Sequence, residues 1–462
     1  MYAKPRYLAT AAAVLLATVI LQSAQALPVI PGASGFGMET PAGRGGVIYR
    51  VSNLNPSGSG SLKECVSAIG ARVCIFEVSG VIHLLDVLAV RDPNLTIAGQ
   101  TAPSPGIMIR GAPLVVTASD VLIQHLRFRT GDDLAGPVGD QRDSLSQWGP
   151  AGSIVRNVVF DHCSVEWSVD ELSNLWDNWD NITYWYNLLA EPLHDSIHPK
   201  GIHGFGPIFG GNNPGSVTMV GNLLAHAYYR NPNSRARNLV FVNNVTYDRG
   251  MADLTLQNNT GIASNNSIVG NVFLKGPSYQ WTIPPIFIDQ ESPVGETQWQ
   301  SGSKIYQAGN VSDEPYAGGS MVGRYNGAAY SSFIVGSAPT WPAGLKTLPT
   351  TDNTVYNEVL SKVGARPADR DAVDRRIIDS VKTRTGQIIN CVAADGSARC
   401  SKNGGGWPAL AKNTRVLTVP ANPSALAANG YTNLENWLHD YAAQVEGSSG
   451  TEPESPSNIT VK

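Results

Sequence analysis

The chain has 462 residues, with 47 Gly, 30 Pro, 15% charged residues and 42% hydrophobic ones. So many turn formers and so few charges exclude a disordered chain, a coiled coil and a helical bundle, and favour a turn-rich all-β protein with a long core. Lys+Arg 33 against Asp+Glu 37 leaves a net charge of −4, without the basic character of a nucleic-acid binder.

The first predicted element is a targeting segment. Lys4 and Arg6 precede an apolar run from Leu8 to Leu21, and Ala24-Gln25-Ala26 offers a small-x-small cleavage site. A membrane anchor is the alternative, but the run is short for a span and no second stretch of about 20 apolar residues follows. The pattern predicts a signal peptide over 1–26 and an exported chain. Next, Ala42 to Val51 reads as an opening strand and Leu62 to Ile69 as a short capping helix, which an open coil end needs to cover unpaired backbone groups. Cys65 and Cys74, and likewise Cys391 and Cys400, are nine apart and flank Gly-containing segments. They predict two local disulfides in an oxidising compartment, leaving Cys163 as a buried thiol. No Cys/His spacing suggests zinc.

From about 115 to 275 one phrase recurs, in which alternating apolar residues lead to a polar position and then to further β-formers. Aligned on it, one column reads Leu126, Cys163, Asn187, Asn222, Asn244, Asn271, at intervals of 37, 24, 35, 22 and 27. A minimum period with variable additions fits a coil of short strands joined by loops of varying length. In such a coil equivalent residues stack about 4.8 Å apart. Asparagine suits a repeated tight bend because its amide bonds to neighbours above and below. A β-sandwich gives no reason for asparagines in one register, so the prediction is an all-β, right-handed parallel β-helix with an N-terminal cap. Past about 340 the repeat fades. Val373, Ile377, Ile378 and Val381 predict a helix over 371–383, Leu434 to Ala443 predicts another, and both would wrap the coil or cap its end. Residues 446–462 read as a disordered tail, so one domain spans 27–445.

Three segments carry ionisable groups near consecutive turns. The first holds Asp161, Glu166, Asp170 and Glu171. Glu166 and Asp170 share strand parity, and such close carboxylates repel unless a cation or basic groups neutralise them. Hard oxygen donors at flexible spacing suit Ca²⁺. The second runs from His194 through His198 to Lys200 and Gly201. In the third, Pro232 fixes the backbone between Arg230 and Arg235, whose planar forks match a carboxylate. Each segment alone reads as a surface charge cluster. Stacked, they would set a cation site beside an anion clamp, which fits a polyanionic substrate.

In this order, and on this repeat, the residues resemble the pectate lyase family of polysaccharide lyases. Asp161-His162 resembles the family's Asp-His phrase at a strand end, and Glu166 and Asp170 its acidic pair spaced by four. Arg230-x-Pro232-x-x-Arg235 matches its arginine signature, Lys200 after Tyr186-Asn187 its lysine, and Gly35 to Gly46 its N-terminal phrase. The resemblance implies a secreted, monomeric parallel β-helix enzyme. It would cleave α-1,4-linked polygalacturonate (pectate) by Ca²⁺-assisted β-elimination to 4,5-unsaturated products. It implies Ca²⁺ on Asp161, Glu166 and Asp170, substrate binding by Lys200, His203 and Arg235, and abstraction of the C5 proton by Arg230. His162, His198 and His203 stay open as bases, since a histidine titrates in a more convenient range. Asp140 and Asp143 are candidates for a further substrate-bridging Ca²⁺. Among Trp148, Trp167, Trp176, Trp179, Tyr228 and Tyr229, some are expected to stack on sugars and most to pack. The competing readings are a lyase for another uronate polymer, a galacturonan hydrolase using paired carboxylic acids, and a non-catalytic carbohydrate-binding β-helix. No nucleic-acid or membrane partner is expected.

Overall fold

A computed structural model describes residues 27–258, 261–289, 299–313, 319–324 and 327–448. The predicted signal peptide lies outside them, as does the predicted tail beyond residue 448. The chain winds through three parallel sheets of ten, nine and nine strands. One turn shows the plan. Val155–Asp161 lies in the first sheet, Ser164–Glu166 in the second and Ser173–Trp176 in the third, before Trp179–Trp185 returns to the first. This is the expected parallel β-helix. Because register is kept from turn to turn, like residues stack. Ile123, Phe160, Tyr184, Met219, Phe241 and Ile268 form one inward column of the core.

The predicted asparagine column is the first bend, between the first and second sheets. Asn187 Oδ1 accepts from Cys163 N (2.8 Å), Asn222 Oδ1 from Asn187 N (2.9 Å), Asn244 Oδ1 from Asn222 N (2.9 Å), and Asn271 Oδ1 from Asn244 N (2.9 Å). Each asparagine side chain also donates to the next one along. Asn310 extends the ladder by one rung beyond the sequence pattern. The residue before each column position has positive φ: His125, His162, Tyr186, Gly221, Asn243, Gly270 and Gly309. A left-handed residue therefore turns the corner and the asparagine amide closes it.

A second left-handed residue follows four successive strands of the second sheet, at Trp167, Glu191, His226 and Asp248. From these points the chain leaves the coil in loops 167–172, 191–207, 226–232 and 248–253. The long excursions 130–144 and 191–207 account for the intervals of 37 and 35, and the segment 257–264 after the third-sheet strand for the 27.

Flanking elements cover two sheets from outside. Helix α1 (Leu62–Ser67) is capped by the Ser61 side chain and tied by the Cys65–Cys74 disulfide to the strand Arg72–Phe76, which pairs with the opening strand Val47–Val51. Helix α2 (Thr354–Lys362), which the sequence pattern does not predict, packs with α3 (Ala372–Thr383) on Leu188, Leu223 and Val245 of the second sheet. The Asp371 side chain caps α3. Helix α4 (Asn433–Glu446) sets Leu434 and Leu438 on Val73 and Ile75 of the first sheet. Its capping box is Thr432 with Glu435, and Gly447 is its left-handed cap, so residues 446–448 end a helix rather than begin the tail. The second disulfide joins Cys391 to Cys400, and Cys163 is buried and free.

Candidate active site

Chemistry-bearing side chains gather on the outer face of the third sheet. Alternation sends Leu175, Phe209 and Leu256 into the core. It turns Asn174, Ile208, Asn233 and Thr255, paired in register, outward. A column of loop residues runs beside this strip. Asp143 stands two residues before the strand Leu145–Gln147, and Glu171 two before Ser173–Trp176. Glu171 N donates to Asp143 Oδ1 (3.0 Å), Glu171 bridges to Phe205, and Arg230 lies over the Phe205 ring with Cζ 4.6 Å from its centroid. From there the guanidinium reaches back to an ion pair with Glu171.

Arg230 adopts φ +66°, an uncommon conformation for a large side chain. The next residue holds it: Asn231 N donates to Asp253 O (3.2 Å), and Asn231 Nδ2 to Ala252 O (3.0 Å). Asp170, one residue before Glu171, accepts from His203 Nε2 at 2.8 Å, with His198 Nε2 at 3.5 Å. Phe205 N donates to Asp170 O (2.9 Å), joining loop 191–207 to loop 167–172. Further along the coil, Arg235 Nε donates to Gln257 Oε1 (2.8 Å), and Asp289 Oδ2 accepts from Gln257 Nε2 (2.8 Å) and Tyr229 Oη (3.2 Å).

The structure thus brings Asp170, His203, Arg230 and Arg235 to one face. Lys200 lies in the same loop as His203 and is exposed; its backbone N donates to His198 Nδ1 (3.2 Å). Asp161 and Glu166 are elsewhere. Asp161 sits in the first bend, where Oδ2 accepts from Gln124 Nε2 (2.7 Å) and Oδ1 faces His162 Nδ1 (2.6 Å). Glu166 accepts from Arg129 Nε (3.0 Å) beneath α3, where Arg129 also binds Asp371 and Asp374. The predicted cation trio of Asp161, Glu166 and Asp170 is therefore not assembled. Parity fails because Trp167 ends the strand between Glu166 and Asp170 with a left-handed turn. Asp143 and Glu171 stand beside Asp170 instead, with one oxygen of each within 4.8 Å of the others. Aligning the third-sheet strands, rather than the first-sheet column alone, pairs Asp143 with Glu171. His162 lies with Asp161, away from this face.

Electrostatics follow from crowding. Burial, reinforced by Asp170, pushes the Asp143 carboxyl up to about 8, against hydrogen bonds from Asn174 and Ser146. Burial also raises Asp170, but the His203 hydrogen bond and the charges of His203, His198 and Arg230 outweigh it and hold it below the ordinary value. Burial lowers Arg230 to about 10; Arg235 adds to the effect, while Asp170 and Asp143 oppose it. One carboxyl that resists ionising among three lacks a positive charge, and the oxygen donors of Asp143, Asp170 and Glu171 fit a hard cation. Asp170, His198 and His203 also cluster, but the two rings are parallel within 6° at 3.9 Å, so both planes cannot contain one metal ion.

Paired arginines and clustered carboxylates thus share one outer face of a parallel β-helix. The chain is 31% identical over 437 residues to a protein named "Probable pectate lyase C" from Aspergillus terreus, covering 91% of this chain and 95% of the relative. A namesake from Emericella nidulans is 32% identical over 367 residues, covering 78% of this chain and 77% of the relative. Among solved structures, the major allergen from cedar pollen aligns at 18% identity with a TM-score of 0.49, over 71% of this chain and 91% of that one. No family model matches the chain. The chain belongs to the pectate lyase family and is a polysaccharide lyase.

Proposed function

We propose that this lyase is exported and cleaves polygalacturonate by calcium-assisted β-elimination, with Arg230 as the base. The observation that carries the reading is the stacked column Asp143, Glu171, Phe205 and Arg230, which sets a buried, pKa-lowered guanidinium against a carboxylate cluster. Bound calcium, held by Asp143 and Asp170 with Glu171 beside them, would neutralise the substrate carboxylate and acidify the adjacent C–H bond.

The chain's own residues supply the rest. Neutral Arg230 takes the C5 proton onto a guanidine nitrogen, the C5–H electron pair becomes the C4–C5 double bond, and the C4–O bond breaks with its electrons on the leaving oxygen, which takes up a proton. Arg235 and Lys200 place positive charge where the carboxylate gains electron density. His203 orients Asp170 and leaves Arg230 free of that task. Export is supported by the segment at 1–26. Among the described residues no helix is long and apolar enough to cross a membrane.

The test is a uronan panel read by the ultraviolet absorbance of the unsaturated product, with and without EDTA, on wild type and Arg230→Lys. Cleavage of polygalacturonate that EDTA stops and Arg230→Lys abolishes is the expected result. Full activity in EDTA would remove the calcium role, and an active Arg230→Lys would remove the base.

A further inference from the structure

The outer face of the third sheet holds a second row, one position past Asn174 and Asn233 in parity. Trp176 pairs with Gly210, and Arg235 follows the Phe209–Ser234 pair, so Trp176, Gly210 and Arg235 stand level on successive strands. Trp148 follows the Gln147–Leu175 pair, and Gly149 N donates to Asp177 O (2.8 Å), which carries the same register onward. The row reads Trp148, Trp176, Gly210, Arg235, Gln257 from strand to strand. Both indoles are exposed, at 42% and 37%, whereas Trp167 and Trp179 are fully buried. Large exposed apolar side chains are normally scattered singly. Here two sit in one column that ends at a guanidinium of the site.

Gly210 shapes the junction. A methyl group on its Cα would lie 2.9 Å from Trp176 Cζ3 and 3.4 Å from Arg235 Cδ, so the indole and the arginine stem close over a position that holds no side chain. The Trp176 indole thus leans over Gly210 towards the Arg235 stem, while the Trp148 backbone stands three rungs from Arg235, about 14 Å at a spacing of about 4.8 Å. A ligand that meets both Trp148 and Arg235 is an oligomer. A flat aromatic face next to a guanidinium matches a pyranose ring, which presents axial C–H bonds on one face and carries hydroxyl and carboxylate oxygens at its rim.

We infer that Trp148 and Trp176 form an aromatic platform that binds further pyranose rings of the polymer, on the rungs of Asp143 and Glu171 and two and three rungs from Arg235. The inference rests on the lyase reading above for the identity of the polymer. It assigns the platform to binding and not to chemistry, so chain length of the substrate is what reveals it.

The experiment compares wild type, Trp148→Ala, Trp176→Ala and Trp176→Phe on polygalacturonate and on a trigalacturonate. The alanine variants are expected to raise KM for the polymer about tenfold while kcat and cleavage of the trimer stay within twofold of wild type. Trp176→Phe should restore most of the loss. A second readout is tryptophan fluorescence in the Arg230→Lys background, titrated with uncleaved oligogalacturonate; the response should vanish when both indoles are removed. Unchanged polymer KM and an unchanged fluorescence response would overturn the platform while leaving the lyase reading intact. Wild-type protein that cleaves no uronan would end the lyase reading, and the fluorescence titration would still decide the platform.

Discussion

As the proposed base, Arg230 would have to be neutral before accepting a proton from carbon, and an arginine in water almost never is. Burial beside Arg235 brings it down to about 10. The active fraction therefore grows tenfold per pH unit below that value, and turnover is expected to climb through the alkaline range and level off near pH 10. A pH–rate profile at saturating substrate measures this. Arg230→Lys keeps the charge but shortens the reach, and is expected to lower kcat by roughly 10²–10⁴ with modest change in KM. A profile without that alkaline rise would take the role from Arg230. Arg230 and Arg235 were legible as residues because Pro232 ties them into a short motif. Asp143 as a partner of Glu171 was harder to see, because their proximity comes from third-sheet register across a loop of different length.

The asparagine ladder shows how one side chain serves two turns of the coil at once. Asn244 Oδ1 accepts from both the backbone and the side chain of Asn222, while its own amide donates to Asn271 Oδ1 and Met219 O. Asn244→Ala would strand buried donors and is expected to cost about 2–4 kcal/mol in denaturant unfolding. Asn310→Ala, at the half-buried end where water can substitute, should cost about 1 kcal/mol or less. The ladder was legible because asparagine marks a bend chemically. The α3 contacts were not, since Arg129, Glu166, Asp371 and Asp374 lie far apart in sequence and meet only when the C-terminal segment folds back. Arg129→Met would leave Glu166 without its cation, and Asp371 and Asp374 with Arg127 alone, and is expected to cost about 3–5 kcal/mol. Glu166→Gln should lower Tm modestly and leave the calcium dependence of activity untouched; loss of calcium response would return Glu166 to the metal. Helix α2 escaped the sequence reading because Val355 and Val359 favour strands in isolation, and its helicity is set by packing on the second sheet.

Across the whole molecule, two outer faces are covered by the C-terminal helices and the third carries the site, so the fold itself decides where a polymer can lie. A cation bound at the proposed site would stabilise the entire coil by mass action, about 2.7 kcal/mol at 100 times its Kd. Because the Asp143 carboxyl is pushed up to about 8, calcium binding there would have to displace its proton. The apparent affinity is therefore expected to tighten as pH rises towards 8 and then flatten. Thermal melts with and without calcium at several pH values measure this, and Asp143→Asn should erase the difference. Composition and repeat were enough to indicate the coil, while the lengths of its excursions were not readable as geometry. Those excursions all leave from a left-handed residue after a second-sheet strand, at Trp167, Glu191, His226 and Asp248, and rejoin the third sheet in register. Residues can thus be spliced into the exposed stretch 199–202 of loop 191–207 without shifting the neighbouring rungs. An engineer could retailor the wall that faces the substrate by loop grafting there, while the scaffold beneath keeps its melting behaviour.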